Sequence, residues 1–264
     1  MHTTSSEPAM RTFPDTWIQV CGPLLMRLDG HRCEHELGGR QARELVAFLV
    51  VNRRRTVSRD ELLAALWSDD APAGAAGTLN TLLSRIRRAL GHERIVGRSV
   101  LRLSLPPDAW IDIEVAERSA HEAESLVAQG NFVRAWAPAR VALRTTNRGF
   151  LPDVKAEWTE EWRRHVENLR LGALEAMASC GLGIGGPELG AAERAGRALI
   201  EAEPLRETGY RHLMEFFAAR EDVASALQVY EMLRVRLRDG LGVAPSRPTQ
   251  DLHRRLLAGT ATKR

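Results

Sequence analysis

The sequence has 264 residues, 44% of them hydrophobic, and a formal net charge of +3. This length is enough for about two domains, and no apolar run is long enough to cross a membrane. The histidines and cysteines show neither the spacing of a zinc site nor a pattern typical of catalytic nucleophiles. We therefore expect neither a membrane protein nor an enzyme, and no metal or other cofactor.

The basic residues are unevenly distributed. Residues 1–106 hold 15 arginines, no lysine and 11 acidic residues, whereas the remainder holds 22 basic and 23 acidic residues. A basic region followed by a near-neutral one is typical of a part that binds nucleic acid joined to a part that binds protein. Arginine binds guanine and phosphate through two parallel hydrogen bonds. A GC-rich genome that favours arginine codons would explain the same bias.

The two ends of the chain and its cysteines carry little information about function. Residues 1–16 lack the apolar stretch of a signal peptide, and we predict a disordered tail there. Residues 259–264 are expected to be a short C-terminal tail. Cys21, Cys33 and Cys180 are odd in number and far apart. They are typical of reduced thiols, and therefore of a cytoplasmic protein.

The first part of the chain alternates between short strands and helices. Residues 17–21 and 24–28 read as strands, and Asp29-Gly30 predicts a hairpin turn after them. Helices are predicted at residues 40–51 and 58–67, the second with a capping box formed by Ser58 and Glu61. After a connection rich in Gly, Ala and Pro (residues 68–77), a third helix covers residues 78–90. Residues 94–96 and 100–105 then form a β-hairpin.

The third predicted helix has two chemically different faces. Leu79, Leu82, Leu83, Ile86 and Leu90 fall on one side at helical spacing. The opposite side carries Thr81, Ser84, Arg85 and Arg88, flanked by Asn80 and Arg87. Hydroxyl, amide and guanidinium groups are those that contact base edges and phosphates in a DNA major groove. A solvated polar face on an ordinary amphipathic helix is the alternative. The order of helix, helix and hairpin around it favours a helix-turn-helix with a wing.

Two prolines, Pro106 and Pro107, predict a domain boundary. Beyond them we predict only helices. Asp112 caps the first, at residues 113–129, and Pro138 kinks the second, at 132–145. The others cover residues 158–180, 188–202, 205–219, 223–240 and 249–257. The loop predicted at residues 181–186 lacks the lysine of a phosphate-binding loop.

The second part also contains a repeat. Ala192 and Ala226 lie 34 residues apart, which is the period of tetratricopeptide helix pairs.

Short motifs in both parts resemble known families. Ser58-Arg59-Asp60-Glu61-Leu62 and Leu83-Ser84-Arg85-Ile86-Arg87-Arg88 are similar to the OmpR-type winged helix, although the wing is shorter and lacks the usual Gly-Tyr. The whole chain resembles the Streptomyces antibiotic regulatory protein family. Its second module, the bacterial transcriptional activator domain, is matched by the motifs RGFLPD (148–153), LRLGALE (169–175), EPLRE (203–207) and LGVAPS (241–246).

The resemblance implies a mainly α fold with a small β component. A winged helix-turn-helix at residues 17–106 would precede an all-α, tetratricopeptide-like domain at residues 107–258. It also implies a cytoplasmic actinobacterial activator of a secondary-metabolite gene cluster, with an effector domain like those of two-component systems. Two or more copies would bind direct repeats in double-stranded DNA and contact RNA polymerase and its sigma factor.

We assign roles to individual residues from their positions on the polar face of the third helix and from the family resemblance. We assign base contacts to Thr81 and Arg85, the latter to a guanine. Contacts to phosphates or the groove edge are assigned to Thr78, Ser84, Arg87 and Arg88. Arg40 and Arg98 are weaker phosphate candidates, and Asn80 is a further candidate for DNA binding. Asp69 and Asp70, in the loop similar to the transactivation loop of OmpR-type proteins, are candidates for contact with polymerase. They would equally serve as exposed acids without a partner.

Two other functions fit the same sequence. One is a helical-repeat adaptor that binds only protein and keeps a vestigial winged helix. The other is a repressor that responds to a ligand held among the C-terminal helices.

Overall fold

A computed structural model describes residues 14–68 and 70–261, with side chains as far as residue 259. The described residues form seven strands and ten α-helices, which confirms the predicted mainly α fold with a small β component. The strands are β1 (Trp17–Gln19), β2 (Leu25–Leu28), β3 (His31–Arg32), β4 (Val57–Ser58), β5 (Ile95–Val96), β6 (Val100–Leu103) and β7 (Trp110–Ile111). The helices are α1 (Arg40–Val51), α2 (Arg59–Trp67), α3 (Ala75–Leu90), α4 (Asp112–Ala128), α5 (Phe132–Thr146), α6 (Thr159–Ile184), α7 (Leu189–Ala202), α8 (Glu207–Ala219), α9 (Val223–Leu241) and α10 (Arg247–Ala261).

The chain forms two compact units. The first consists of Met1–Glu114 and Arg148–Val166, and the second of Val115–Asn147 and Glu167–Arg264. The segment Arg148–Val166 thus groups with the winged-helix region, although it comes late in the sequence.

A four-stranded sheet opens the first unit, in the order β3-β2-β1-β7. β1 pairs antiparallel with β2 and parallel with β7. Asp29 and Gly30, with φ of 48° and 83°, join β2 to β3, as the predicted hairpin turn requires. The carbonyls of Asp15 and Thr16 accept hydrogen bonds from Gly30 and Trp110. These two residues were predicted as part of a disordered tail, but they are hydrogen-bonded to the chain next to the sheet, just before β1. Residues 1–13 lie outside the described residues.

Three helices and a second sheet complete the winged helix-turn-helix. α1, α2 and α3 pack on one another, and β4, β6 and β5 form a three-stranded sheet in that order. The predicted capping box of α2 is confirmed: Ser58 N donates to Glu61 Oε2 at 2.7 Å, and Glu61 N donates to Ser58 Oγ at 3.1 Å. Helix α3 starts at Ala75 because Gly74, with φ of +87°, ends the preceding loop. The predicted connection at residues 68–77 is therefore shorter than expected.

The RGFLPD motif supplies part of the core of the first unit. Phe150 and Leu151 are buried with the winged-helix residues, and the rings of Phe150 and Trp162 stack at 5.8 Å between centroids. Backbone hydrogen bonds join this segment to the end of β1, from Gly22 N to Gly149 O at 2.6 Å and from Leu151 N to Val20 O at 3.0 Å. A fragment limited to residues 17–106 would lose these contacts.

A buried carboxylate joins three parts of this unit. Asp112, predicted as a helix cap, is fully buried and accepts hydrogen bonds from Val20 N at 2.9 Å and Cys21 N at 3.0 Å. Arg148 Nη2 donates to the same carboxylate at 3.1 Å. Burial raises the pKa of Asp112 to about 6, although these hydrogen bonds and the charge of Arg148 oppose the shift.

The second unit contains stacked helices, as predicted. α7 packs on α8, and α8 on α9; a Cβ on Gly209 would lie only 2.8 Å from Leu199 Cβ. The predicted loop at residues 181–186 is wrong for residues 181–184, which continue α6. The glycines there allow close packing, since a Cβ on Gly183 would lie 2.1 Å from Phe132 Cδ2. α5 runs through Pro138, and α10 extends beyond its predicted end into the region expected to be a tail.

The buried carboxylate leads to a prediction about pH and stability. Asp112→Asn leaves one acceptor oxygen for two backbone N–H donors, which should cost ~1–3 kcal/mol of unfolding free energy. The folded pKa of about 6 exceeds the ordinary value of 3.8, so the wild-type carboxyl adds stability at low pH that is lost as pH rises through 6. Urea unfolding of both proteins should therefore show a larger difference near pH 4 than near pH 7.5. A difference independent of pH would contradict this assignment.

Candidate nucleic-acid interface

Helix α3 buries one face and exposes the other, as predicted. Leu79, Leu83 and Ile86 are at most 1% exposed. The residues exposed on the opposite side are Thr78, Asn80, Thr81, Ser84, Arg85 and Arg88. Because α3 packs against both α1 and α2, its polar side is the one that is exposed to a ligand. These side chains form a surface that we call the α3 stripe.

Two threonines of the α3 stripe are held by their own helix. Thr81 Oγ1 donates to Gly77 O at 3.1 Å, and Thr78 Oγ1 lies 3.5 Å from Gly74 O. A hydroxyl that donates to the backbone keeps its acceptor lone pairs and its methyl group for other contacts. Thr81 therefore presents an acceptor and a methyl group rather than a free donor.

Arg85 lies beside the turn that precedes α1. A Cβ built on Gly38 would lie 3.3 Å from Arg85 Nη1, and Gly38 has φ of +80°. Among the described residues, no carboxylate or carbonyl accepts a hydrogen bond from this guanidinium, so its donors are available to a ligand. Arg40, two residues after Gly38, is the first residue of α1 and is exposed. Its Nε lies 3.4 Å from Glu44 Oε1.

The wing is short and held to the helices by arginines. Arg98 is exposed at its tip. Arg87 Nε donates to Ile95 O at 3.3 Å, and its Nη2 donates to Gly97 O at 2.9 Å. The side chain predicted to bind phosphate is thus engaged with the wing. Arg59, which the sequence reasoning missed, donates to Asn80 Oδ1 and lies 3.5 Å from the carbonyl of Arg98.

The loop between α2 and α3 is exposed at Asp70, while Asp69 lies outside the described residues. The surface beside this loop is also lined by Lys155 and Glu157. No signal in the sequence indicated that these late residues would lie there. The surface around Asp70 therefore includes charged residues of both signs from outside the loop.

The two parts of the chain match two family descriptions. "Transcriptional regulatory protein, C terminal" matches residues 36–99, and "Bacterial transcriptional activator domain" matches residues 111–257. The chain belongs to the Streptomyces antibiotic regulatory protein family. Members of this family are transcriptional regulators, which agrees with the predicted identity.

Several regulators are similar to this member of the family. It is 30% identical to the regulatory protein AfsR of Streptomyces griseus, over 83% of this chain and 22% of that protein. The transcriptional regulatory protein EmbR of Mycobacterium tuberculosis is 30% identical over 90% of this chain and 62% of its own length. The regulatory protein DnrI of Streptomyces peucetius is 28% identical over 91% of each chain.

A solved structure shares the fold. Mycobacterium tuberculosis EmbR, in complex with a low-affinity phosphopeptide, matches with a TM-score of 0.80 and 25% identity, over 93% of this chain and 65% of that one. In sequence, the chain spans 22% of the length of AfsR and 62% of the length of EmbR, less than two thirds of each. Within residues 14–68 and 70–261, no helix has both the length and the apolar character needed to span a bilayer.

The geometry of the α3 stripe predicts different losses from two arginines. Arg85→Ala should weaken binding to the preferred DNA site by ~1–3 kcal/mol and relax one base position. Arg88→Ala is the matched control on the same helix; it should weaken binding to all sequences and lower the salt slope by about one. Affinities for preferred and scrambled duplexes would test both. Equal losses on the two duplexes for Arg85→Ala would reduce Arg85 to a phosphate contact.

Proposed function

We propose that this chain is a sequence-specific DNA-binding transcriptional activator that acts in the cytoplasm. The observation that carries the proposal is the α3 stripe, which combines exposed hydroxyl, amide and guanidinium groups on a helix anchored through its opposite face. A helix of about 12 Å diameter fits the major groove, where these groups distinguish base pairs. Arg85 and Thr81 read bases in this proposal, and Thr78, Asn80, Ser84 and Arg88 contact phosphates or the groove edge.

The second part of the proposal concerns polymerase. Two or more copies bind direct repeats near a promoter, associate with each other there, and hold RNA polymerase through its sigma factor. Exposed Asp70, together with Asp69 in the sequence, supplies negative charge for a basic polymerase surface. A favourable contact of ~1.4 kcal/mol raises the binding constant of polymerase for the promoter tenfold, so activation requires binding energy and no catalytic step. Because the chain belongs to the Streptomyces antibiotic regulatory protein family, the genes proposed as its targets are those of a secondary-metabolite cluster.

A groove in the second unit favours protein binding by its helices. The groove is lined by apolar side chains and by the arginine Arg236; the apolar residues are Ile200, Leu213, Val229 and Met232. The groove keeps the adaptor alternative open, since an adaptor would use it without the α3 stripe. A repressor that responds to a ligand would instead release DNA when a small molecule occupies that groove.

Selection of duplexes from a random pool by the full chain tests the proposal. We expect recovery of a repeated short site, affinity that falls with salt, and stimulated transcription from a promoter that carries the site. Recovery of no preferred sequence would favour the adaptor. Reduced transcription in the presence of the protein would favour a repressor.

Asp70→Ala separates polymerase contact from DNA binding. The substitution removes an exposed charge from the loop, so we expect reduced transcription in vitro with unchanged affinity for the duplex. Asp108→Ala removes an exposed acid from a different loop of the same unit and should change neither. Transcription that is unaffected by Asp70→Ala, or reduced equally by both variants, would remove Asp70 from the proposed polymerase surface.

A further inference from the structure

Two arginines of the helix-turn-helix donate to the tip of the wing. Arg87, on α3, gives one donor to the carbonyl of Ile95 and another to the carbonyl of Gly97, at 3.3 and 2.9 Å. Arg59, the first residue of α2, lies 3.5 Å through Nη1 from the carbonyl of Arg98. Its Nη2 donates to the side chain of Asn80 on α3. Three carbonyls at the tip thus face guanidinium donors.

The wing has little apolar packing of its own at this end. Val96 and Val100, which flank the turn, are each 49% exposed, and β5 has only two residues. Gly97 makes the turn tight: it has φ of +103°, and a Cβ there would lie 1.9 Å from Val100 O. Hydrogen bonds to charged donors are stronger than those between neutral groups. The arginines therefore add lateral support to the tip, beyond the pairing of β6 with β4 at Val100 and Ser58.

We propose that Arg59 and Arg87 are positioning residues that hold the wing against α3 and thereby fix where Arg98 meets DNA. Asn80, in this inference, serves Arg59 as an acceptor on α3. The inference rests on the proposed DNA-binding function. In this arrangement the guanidinium groups of Arg59 and Arg87 do not contact DNA themselves. They affect DNA binding by placing Arg98.

A direct phosphate contact by Arg59 is the competing explanation, and Arg59→Lys distinguishes the two. Lysine keeps the positive charge that attracts phosphate but lacks the planar fork that spans Asn80 Oδ1 and the carbonyl of Arg98. Positioning predicts that Arg59→Lys behaves like Arg59→Ala. A phosphate contact predicts that Arg59→Lys retains most of the affinity.

The first arm of the test is a double-mutant cycle on a duplex selected by the wild-type chain. Arg59→Ala alone should weaken binding about three- to tenfold, and Arg98→Ala should do the same. In the Arg98→Ala background, Arg59→Ala should cost less than about twofold, because the group it positions is gone. Additive losses, each with a lower salt slope, would overturn the proposal.

The second arm needs no DNA. Hydrogen exchange of the free full-length protein should be faster for amides at residues 95–103 in Arg59→Lys, Arg59→Ala and Arg87→Ala. Arg118→Ala, which removes an exposed arginine from α4, is the control and should leave this segment unchanged. Unchanged exchange in all three wing variants would overturn the anchoring. A wild-type chain that selects no duplex would refute the proposed function, while this arm would still decide whether the arginines hold the wing.

Discussion

Burial of Leu79, Leu83 and Ile86 is the constraint on which the recognition surface depends. With those side chains packed against the other two helices of the motif, the α3 stripe must face outward. The same packing fixes the direction in which Arg87 leaves the helix, toward the wing carbonyls. One helix therefore presents its own polar groups and also supports the wing beside it.

The core beneath this surface is assembled from distant parts of the sequence. Asp112 joins the end of β1 to Arg148, and Phe150 packs in the same core. A motif by which the family is recognised thus has a structural role in the first unit. The RGFLPD motif follows α4 and α5 in the sequence, yet it packs in the core of the first unit. It therefore stabilises the unit that carries the recognition surface.

Much of this could be predicted because it depends on local sequence. The capping box at Ser58 and Glu61, the turn at Asp29-Gly30 and the two faces of α3 all follow from residues that are close together in the chain. β4 and β7 were missed because each has two residues and is defined by its partner strand. The loop predicted at residues 181–184 was wrong because glycine serves there for close packing inside a helix, which composition does not distinguish from a turn.

The site was predicted less completely than the fold. Exposure of Thr81, Ser84 and Arg85 follows from helical periodicity, whereas the contacts of Arg59 and Arg87 depend on where the wing turns back. Periodicity assigns a face to a side chain but does not identify its partner. Roles in DNA binding stay predictions for every residue of the α3 stripe.

In the proposed complex, α3 places the α3 stripe against base edges in the major groove. Methylation interference tests it most directly, because methylation of guanine N7 blocks a major-groove acceptor. The wild-type chain would be bound to a selected duplex partially methylated by dimethyl sulfate, and the bound and free fractions compared. We predict that methylated guanines are depleted from the bound fraction within the site, and that Arg85→Ala abolishes the depletion at one of them. Equal recovery of methylated guanines at every position would contradict the account.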